Sequence, residues 1–281
     1  MKNIVNEVFM LANESTVLEV VLSNVVKLPG VKVDRREFLA KSFSKHLSPD
    51  ELAELIEKGP EQANIDKQIL NNIAKKVISD RTMQSSSLSF ATGIPGGLAM
   101  AATIPADTAQ FFAMALRLSQ ELGYIYGYDD FWDGEEMNAE NVSGDLILFL
   151  GVMFGVGGAT ATIKALSSQL TKQALKKIPN KALMKTVYYP IIKKTLEFIG
   201  LKVSKNSFAK GVSKAIPLAG GIISGGLTYA SMTKMGKRLA KALEENIDLT
   251  PEQIRQSFEE LRKNNPEIID MEFEEIMKEK V

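Results

Sequence analysis

The sequence predicts an all-α fold, a multi-helix bundle with central glycine-rich apolar helices. Two observations lead there: apolar residues recur at helical spacing between clear helix start and stop signals, and sustained period-two alternation, Asn-Gly hairpin turns and fixed-period repeats are all missing. Val5, Val8, Phe9, Ala12, Val17, Val20 and Val21 outline a first helix that stops at Leu28-Pro29-Gly30. In Leu47-Ser48-Pro49-Asp50-Glu51, Ser48 is placed to cap a second helix, Pro49 to occupy its first turn and Glu51 to close a capping box. Gly59-Pro60 ends that helix. Thr250-Pro251-Glu252-Gln253 repeats the start signal near the C-terminus, and Asn264-Asn265-Pro266 stops it.

Three uncharged stretches fill the middle: Thr82 to Ala106, Leu146 to Ile163 and Ala215 to Thr233. Each approaches the roughly 18–20 residues a helix needs to cross a bilayer. Pro95 and Pro105 break the first, whereas Leu146 to Ile163 is apolar almost throughout. All three space small residues by four, at Gly93 and Gly97, Gly151 and Gly155, and Gly221 and Gly225, and these six are candidate helix-packing positions. Such pairs serve a membrane helix pair or a tightly packed soluble hairpin, and short apolar runs belong more often to a core. Double spanning would also require charged flanks to be moved across the membrane, which disfavours it.

Net charge is zero, yet the charges are segregated. Leu118 to Asp145 holds eight acids and no base. Between Lys164 and Lys214 lie Lys172, Lys176, Lys177, Lys181, Lys185, Lys193, Lys194, Lys202, Lys205 and Lys210, against the single acid Glu197. These ten lysines are the candidate contact with an anionic membrane surface, each lysine near the lipid contributing on the order of 1 kcal/mol. Tyr188, Tyr189, Ile191, Ile192 and Phe198 around Lys193 and Lys194 give an amphipathic pattern suited to an interface. The stretch contains no Arg, the residue preferred for base reading and bidentate phosphate contact, so nucleic acid is not the expected partner.

Composition removes other classes. A chain of 281 residues, 45% hydrophobic and 24% charged, suits one large core or one core with appendages. Zero Cys excludes disulfides, thiolate zinc sites and a Cys nucleophile. Glu7, Glu14 and Glu19 interrupt the apolar N-terminal stretch as a signal-peptide core would not, so a cytoplasmic location is expected. The sole His, His46, sits in a charged setting before the second helix, and Ser224 lacks the Gly-x-Ser-x-Gly elbow, which argues against a hydrolase. Gly157-Gly158 and Gly220-Gly221 lack the Lys-Ser/Thr of a phosphate loop. Asp129-Asp130-Phe131-Trp132-Asp133-Gly134-Glu135-Glu136 lacks the full calcium-loop pattern and reads as a solvated loop. No metal and no cofactor are expected. Trp132, Phe131, Tyr124, Tyr126 and Tyr128 are expected to pack.

A polar stripe stands out on the helix after Pro105. Asp107, Gln110, Arg117 and Gln120 are spaced by three, seven and three, which places them near one face and makes them candidate ligand-binding residues. Asp107 also suits a helix N-terminus, where a carboxylate caps free N–H groups and meets the dipole's positive end. The stripe could equally face solvent or satisfy the exposed end of another helix.

The run Ser87-Leu88-Ser89-Phe90-Ala91-Thr92-Gly93-Ile94-Pro95-Gly96-Gly97, then Ile104-Pro105-Ala106-Asp107, then Gln120 through Tyr126-Gly127-Tyr128, resembles the EcsC family of bacterial proteins. Ala215 to Thr233 is similar to the glycine-rich segment that closes that family's domain. The resemblance spans roughly residues 65–243 and implies a helical domain there, between an N-terminal helical extension, 1–64, and an acidic C-terminal helical tail, 244–281. The family is named for its association with an ABC transporter and has no settled activity, so the resemblance implies a fold and a membrane protein as partner rather than a reaction. The leading expectation is a non-catalytic helical protein peripherally associated with the inner face of the cell membrane, regulating a transporter or envelope process. The alternatives are a lipid- or metabolite-binding protein or enzyme with a polar site at Asp107, and a membrane-permeabilising effector.

Overall fold

The computed structural model describes residues 25, 30–86, 106–131, 144–167, 225–247, 249, 250, 252, 253, 256, 257, 259 and 263. Seven helices order these residues: α1 (Arg35–Phe43), α2 (Pro49–Lys58), α3 (Lys67–Ser86), α4 (Ala106–Ile125), α5 (Gly144–Phe154), α6 (Ala159–Ser167) and α7 (Gly225–Glu244). No strand occurs among them, and the all-α class is established.

Local chemistry sets the helix ends. Ser48 Oγ accepts from the Glu51 N–H at 3.4 Å and the Glu51 carboxylate accepts from the Ser48 N–H at 2.8 Å, completing the box at the start of α2. Asp34 caps α1 by accepting from the Glu37 N–H at 2.7 Å. Thr250 and Gln253 exchange the same reciprocal pair of bonds further along the chain. At the other ends, α4 and α5 close identically. The Tyr128 N–H reaches the Gly123 carbonyl and the Gly127 N–H the Tyr124 carbonyl, while Val156 reaches Gly151 and Gly155 reaches Val152. This double bond pattern needs a left-handed residue just past the helix, supplied by Gly127 at φ +92° and Gly155 at φ +77°.

Helix α4 is the hub. From Phe111 to Ile125 it is buried at every position except Arg117 and packs against α1, α3, α5 and α7. Helices α3 and α7 run antiparallel: Asn71 Nδ2 donates to Glu244 at 2.6 Å near one end, and Thr233 meets Thr82 near the other. Gly236 lets this pair close, since a Cβ there would lie 3.0 Å from both Ile78 Cγ1 and Leu118 Cδ2. Gly123 plays the same part on α4, where a Cβ would fall 2.5 Å from Phe131 Cζ and 2.7 Å from Phe149 Cε2. Around it Tyr124 stacks on Phe131 at 5.1 Å and Tyr128 meets Phe149 edge-on at 4.8 Å, so the tyrosines and Phe131 pack as expected; Trp132 lies outside the described residues.

The apolar run 146–163 is divided in two. Helix α5 ends at Phe154, the chain turns through Gly155 and Gly158, both at positive φ, and α6 begins at Ala159. Residues Leu146 to Leu150 and Val152 to Phe154 are all buried in the core. At 11 residues, α5 is about 16 Å long against about 30 Å of hydrocarbon. No helix among the described residues is long and apolar enough to cross a membrane.

Candidate functional site

The described part of the polar stripe is a buried network on α4. Gln120 is fully buried, with its carboxamide set against the segment before α1. Its Oε1 accepts from the Val33 N–H at 3.1 Å, and its Nε2 donates to the Val31 carbonyl at 2.8 Å and to Leu116 within its own helix at 2.9 Å. One side chain thus does for residues 31–33 what a neighbouring strand would do. Arg117, three residues earlier, donates from Nη1 to the Gly30 carbonyl at 2.6 Å. Gly30 is required there on two counts: its φ is +79°, and a Cβ would lie 3.0 Å from that guanidinium nitrogen. Tyr124 Oη lies 3.4 Å from the Val33 carbonyl and donates to Asp130 at 3.1 Å. Burial first, and Asp130 second, push this phenol well above the ordinary tyrosine range. Burial does the same for Tyr126, helped by Glu244.

An ion triad completes the network. Glu121 is fully buried and receives Arg81 side-on, Nε to Oε2 and Nη2 to Oε1, both at 2.6 Å. Arg117 Nε reaches the same Oε1 at 3.1 Å. Arg81 Nη1 continues to Gln84 at 2.5 Å. Such pairing is what allows a carboxylate to stay in a dry core. Arg81 and Glu121 escaped the sequence reading; the signal for Glu121 was an acid at the fourth position after Arg117 in an otherwise apolar helix.

Among the four stripe residues, Arg117 and Gln120 are brought together, and both are engaged by the segment 30–33. Gln110 is half-buried two and more turns away. Asp107 lies in the first turn of α4, with its side chain outside the described residues. Gly151 supplies the carbonyl that closes α5, and Gly155 lies beyond that helix, beneath Arg238, so its conformation answers to the turn. Gly225 opens α7; Gly93, Gly97, Gly221 and the ten lysines from Lys172 to Lys210 lie outside the described residues. His46 is exposed after α1. Among the described residues no group of three or more His, Asp or Glu is arranged to hold a metal ion.

Arginine also ties helix ends elsewhere. Arg35 donates to the Tyr128 and Ile56 carbonyls at 3.0 and 2.8 Å, and Arg238 to Met153 at 2.6 Å. The Ile56 and Met153 carbonyls belong to the last turns of α2 and α5, whose carbonyls have no partner within the helix, and Tyr128 lies three residues past the end of α4. The chain matches no family model, no curated protein and no solved structure.

Proposed function

We propose that the protein is a non-catalytic helical protein that works at the cytoplasmic face of a membrane, contacting anionic lipid or a membrane protein such as an ABC transporter. The observation that carries the reading is the charge run of ten lysines from Lys172 to Lys210 against one acid. A run of this density binds an anionic surface by summed electrostatics. The core adds indirect support: within residues 146–163, the most membrane-like stretch of the sequence, α5 packs against α4, α6 and α7. On this reading the apolar helices support the surface segment and do not themselves insert. The resemblance to the EcsC family points the same way and rests on the residues quoted for it.

Co-sedimentation with vesicles tests the proposal. Pelleting on anionic but not neutral vesicles, reversed by high salt, is the expected result. Pelleting that survives salt and carbonate would favour the membrane-permeabilising alternative, and absence of pelleting throughout would refute a lipid contact.

A further inference from the structure

We propose that Arg81 and Arg117, joined on the buried carboxylate of Glu121, form a binding site for a phosphate group. Two guanidiniums meet one carboxylate, and both bond the same oxygen, Glu121 Oε1. Arg81 alone satisfies that carboxylate in a side-on bidentate pair. A second cation at the same oxygen adds like-charge repulsion inside a low-dielectric site, and one more anion would offset it.

Donors and access agree with the charge. A guanidinium offers five N–H donors. The hydrogen bonds of Arg117 use Nε and Nη1, leaving Nη2 without a hydrogen-bond partner among the described residues. Glu121 is closed off from solvent, while 17% of the Arg81 side chain and 26% of the Arg117 side chain remain open, so solvent reaches both arginine side chains and not the carboxylate they share. The two arginines come from different helices, α3 and α4, and present donors from two directions. That suits a tetrahedral oxyanion better than a planar carboxylate. Gly30, exposed and held by Arg117, forms one edge of the site. Arg35 and Arg238 differ: each is bonded to backbone carbonyls and forms no ion pair with a carboxylate among the described residues.

The phosphate could belong to a soluble ester or to a lipid headgroup, and one experiment separates these. The arginine Nε–H resonances of the full chain are followed by NMR during titration with inorganic phosphate against chloride at constant ionic strength. A parallel titration uses phosphatidylcholine vesicles with and without phosphatidic acid. Arg81 and Arg117 are expected to shift saturably while Arg35 and Arg238 stay still, and R81K and R117K each to weaken the response at least about tenfold, the share of one hydrogen bond to a charged group. Saturation by inorganic phosphate assigns a soluble ligand; a response to phosphatidic acid vesicles alone assigns a headgroup. No saturable shift with either probe, or equal shifts at all four arginines, overturns the proposal. So does an undiminished response in both Lys variants, whose folding is checked by circular dichroism. Should both variants unfold, the selectivity among the four arginines in the unmodified chain decides.

Discussion

Replacing Gln120 by Leu strips away the carboxamide that clamps residues 31–33 to α4 and leaves a side chain of similar size. The Val33 N–H and the Val31 carbonyl then lose their partner in a place where the two residues are only 6% and 1% exposed. A buried backbone group without a partner costs about 1–3 kcal/mol, so two cost about 2–6 kcal/mol if the segment stays docked. The alternative is to lift the segment into water, which rehydrates both groups but gives up the burial of two valines, about 1.5–3 kcal/mol each. The two routes bracket the same loss, about 4 kcal/mol. Urea unfolding would show it as a lower midpoint at unchanged slope, and hydrogen exchange at the Val33 amide would lose its protection. A destabilisation below about 1 kcal/mol with the Val33 amide still protected would refute the clamp. Gln120→Glu sharpens the test. It keeps an acceptor for Val33 but sets a carboxylate oxygen against the Val31 and Leu116 carbonyls. That environment favours the protonated acid and raises its folded-state pKa. The loss is therefore full at neutral pH and recedes as the pH falls toward the acid range, opposite to the usual behaviour of a paired carboxylate.

Gly155→Ala combines a left-handed φ with a Cβ placed 2.9 Å from Arg238 Nη1; thermal unfolding should register a loss of about 1–3 kcal/mol, larger than for Gly157→Ala. Ser48→Ala removes the cap of α2 and should cost about 1 kcal/mol. Its bonds to Ser48 hold the Glu51 carboxyl below its ordinary range, so that contribution is present above the ordinary glutamate value and lost as pH falls through the lowered one. The larger of these bonds comes from the Ser48 N–H, which alanine keeps, and the smaller from Oγ, so the Ser48 variant should show an acid limb only slightly flatter in denaturation followed against pH. Tyr124 and Tyr126 are raised by burial, so the stability they confer is complete below the ordinary value of 10.0 and lost as pH rises past it. Phenolate absorbance should show these two of the chain's six tyrosines titrating only together with unfolding, and Tyr124→Phe should lessen the alkaline loss.

Helix caps were legible because they are local. Ser48, Pro49 and Glu51 carry the whole start of α2 within four residues, and Gly59-Pro60 carries its end. The stripe of Arg117 and Gln120 was legible as an anomaly, polar groups in an apolar helix, but its partner was not. The segment 30–33 lies nearly ninety residues away and bonds through backbone atoms, which leave no trace in residue identity. Glu121 shows the same limit, since its main partner, Arg81, stands forty residues earlier on another helix. The run 146–163 looked like one apolar element because Gly155 reads as a packing glycine at four-residue spacing. Its positive φ, and the closing bonds to Gly151 and Val152, are properties of the turn. Of the glycines that do bring side chains and helices close, Gly236 has no glycine four residues away, while Gly123 has one, Gly127, which serves the turn that ends α4 and not a helix contact.

The lysine segment is the centre of the functional account, and charge removal there tests it most directly. With Lys193, Lys194 and Lys202 changed together to Gln, the loss of three positive charges at about 1 kcal/mol each should weaken binding to anionic vesicles about a hundredfold at low salt. Stability in urea should be unaltered, and the salt dependence of vesicle binding should become shallower. Equal vesicle affinity for the triple variant and the unmodified chain, measured at the same ionic strength, would contradict the account.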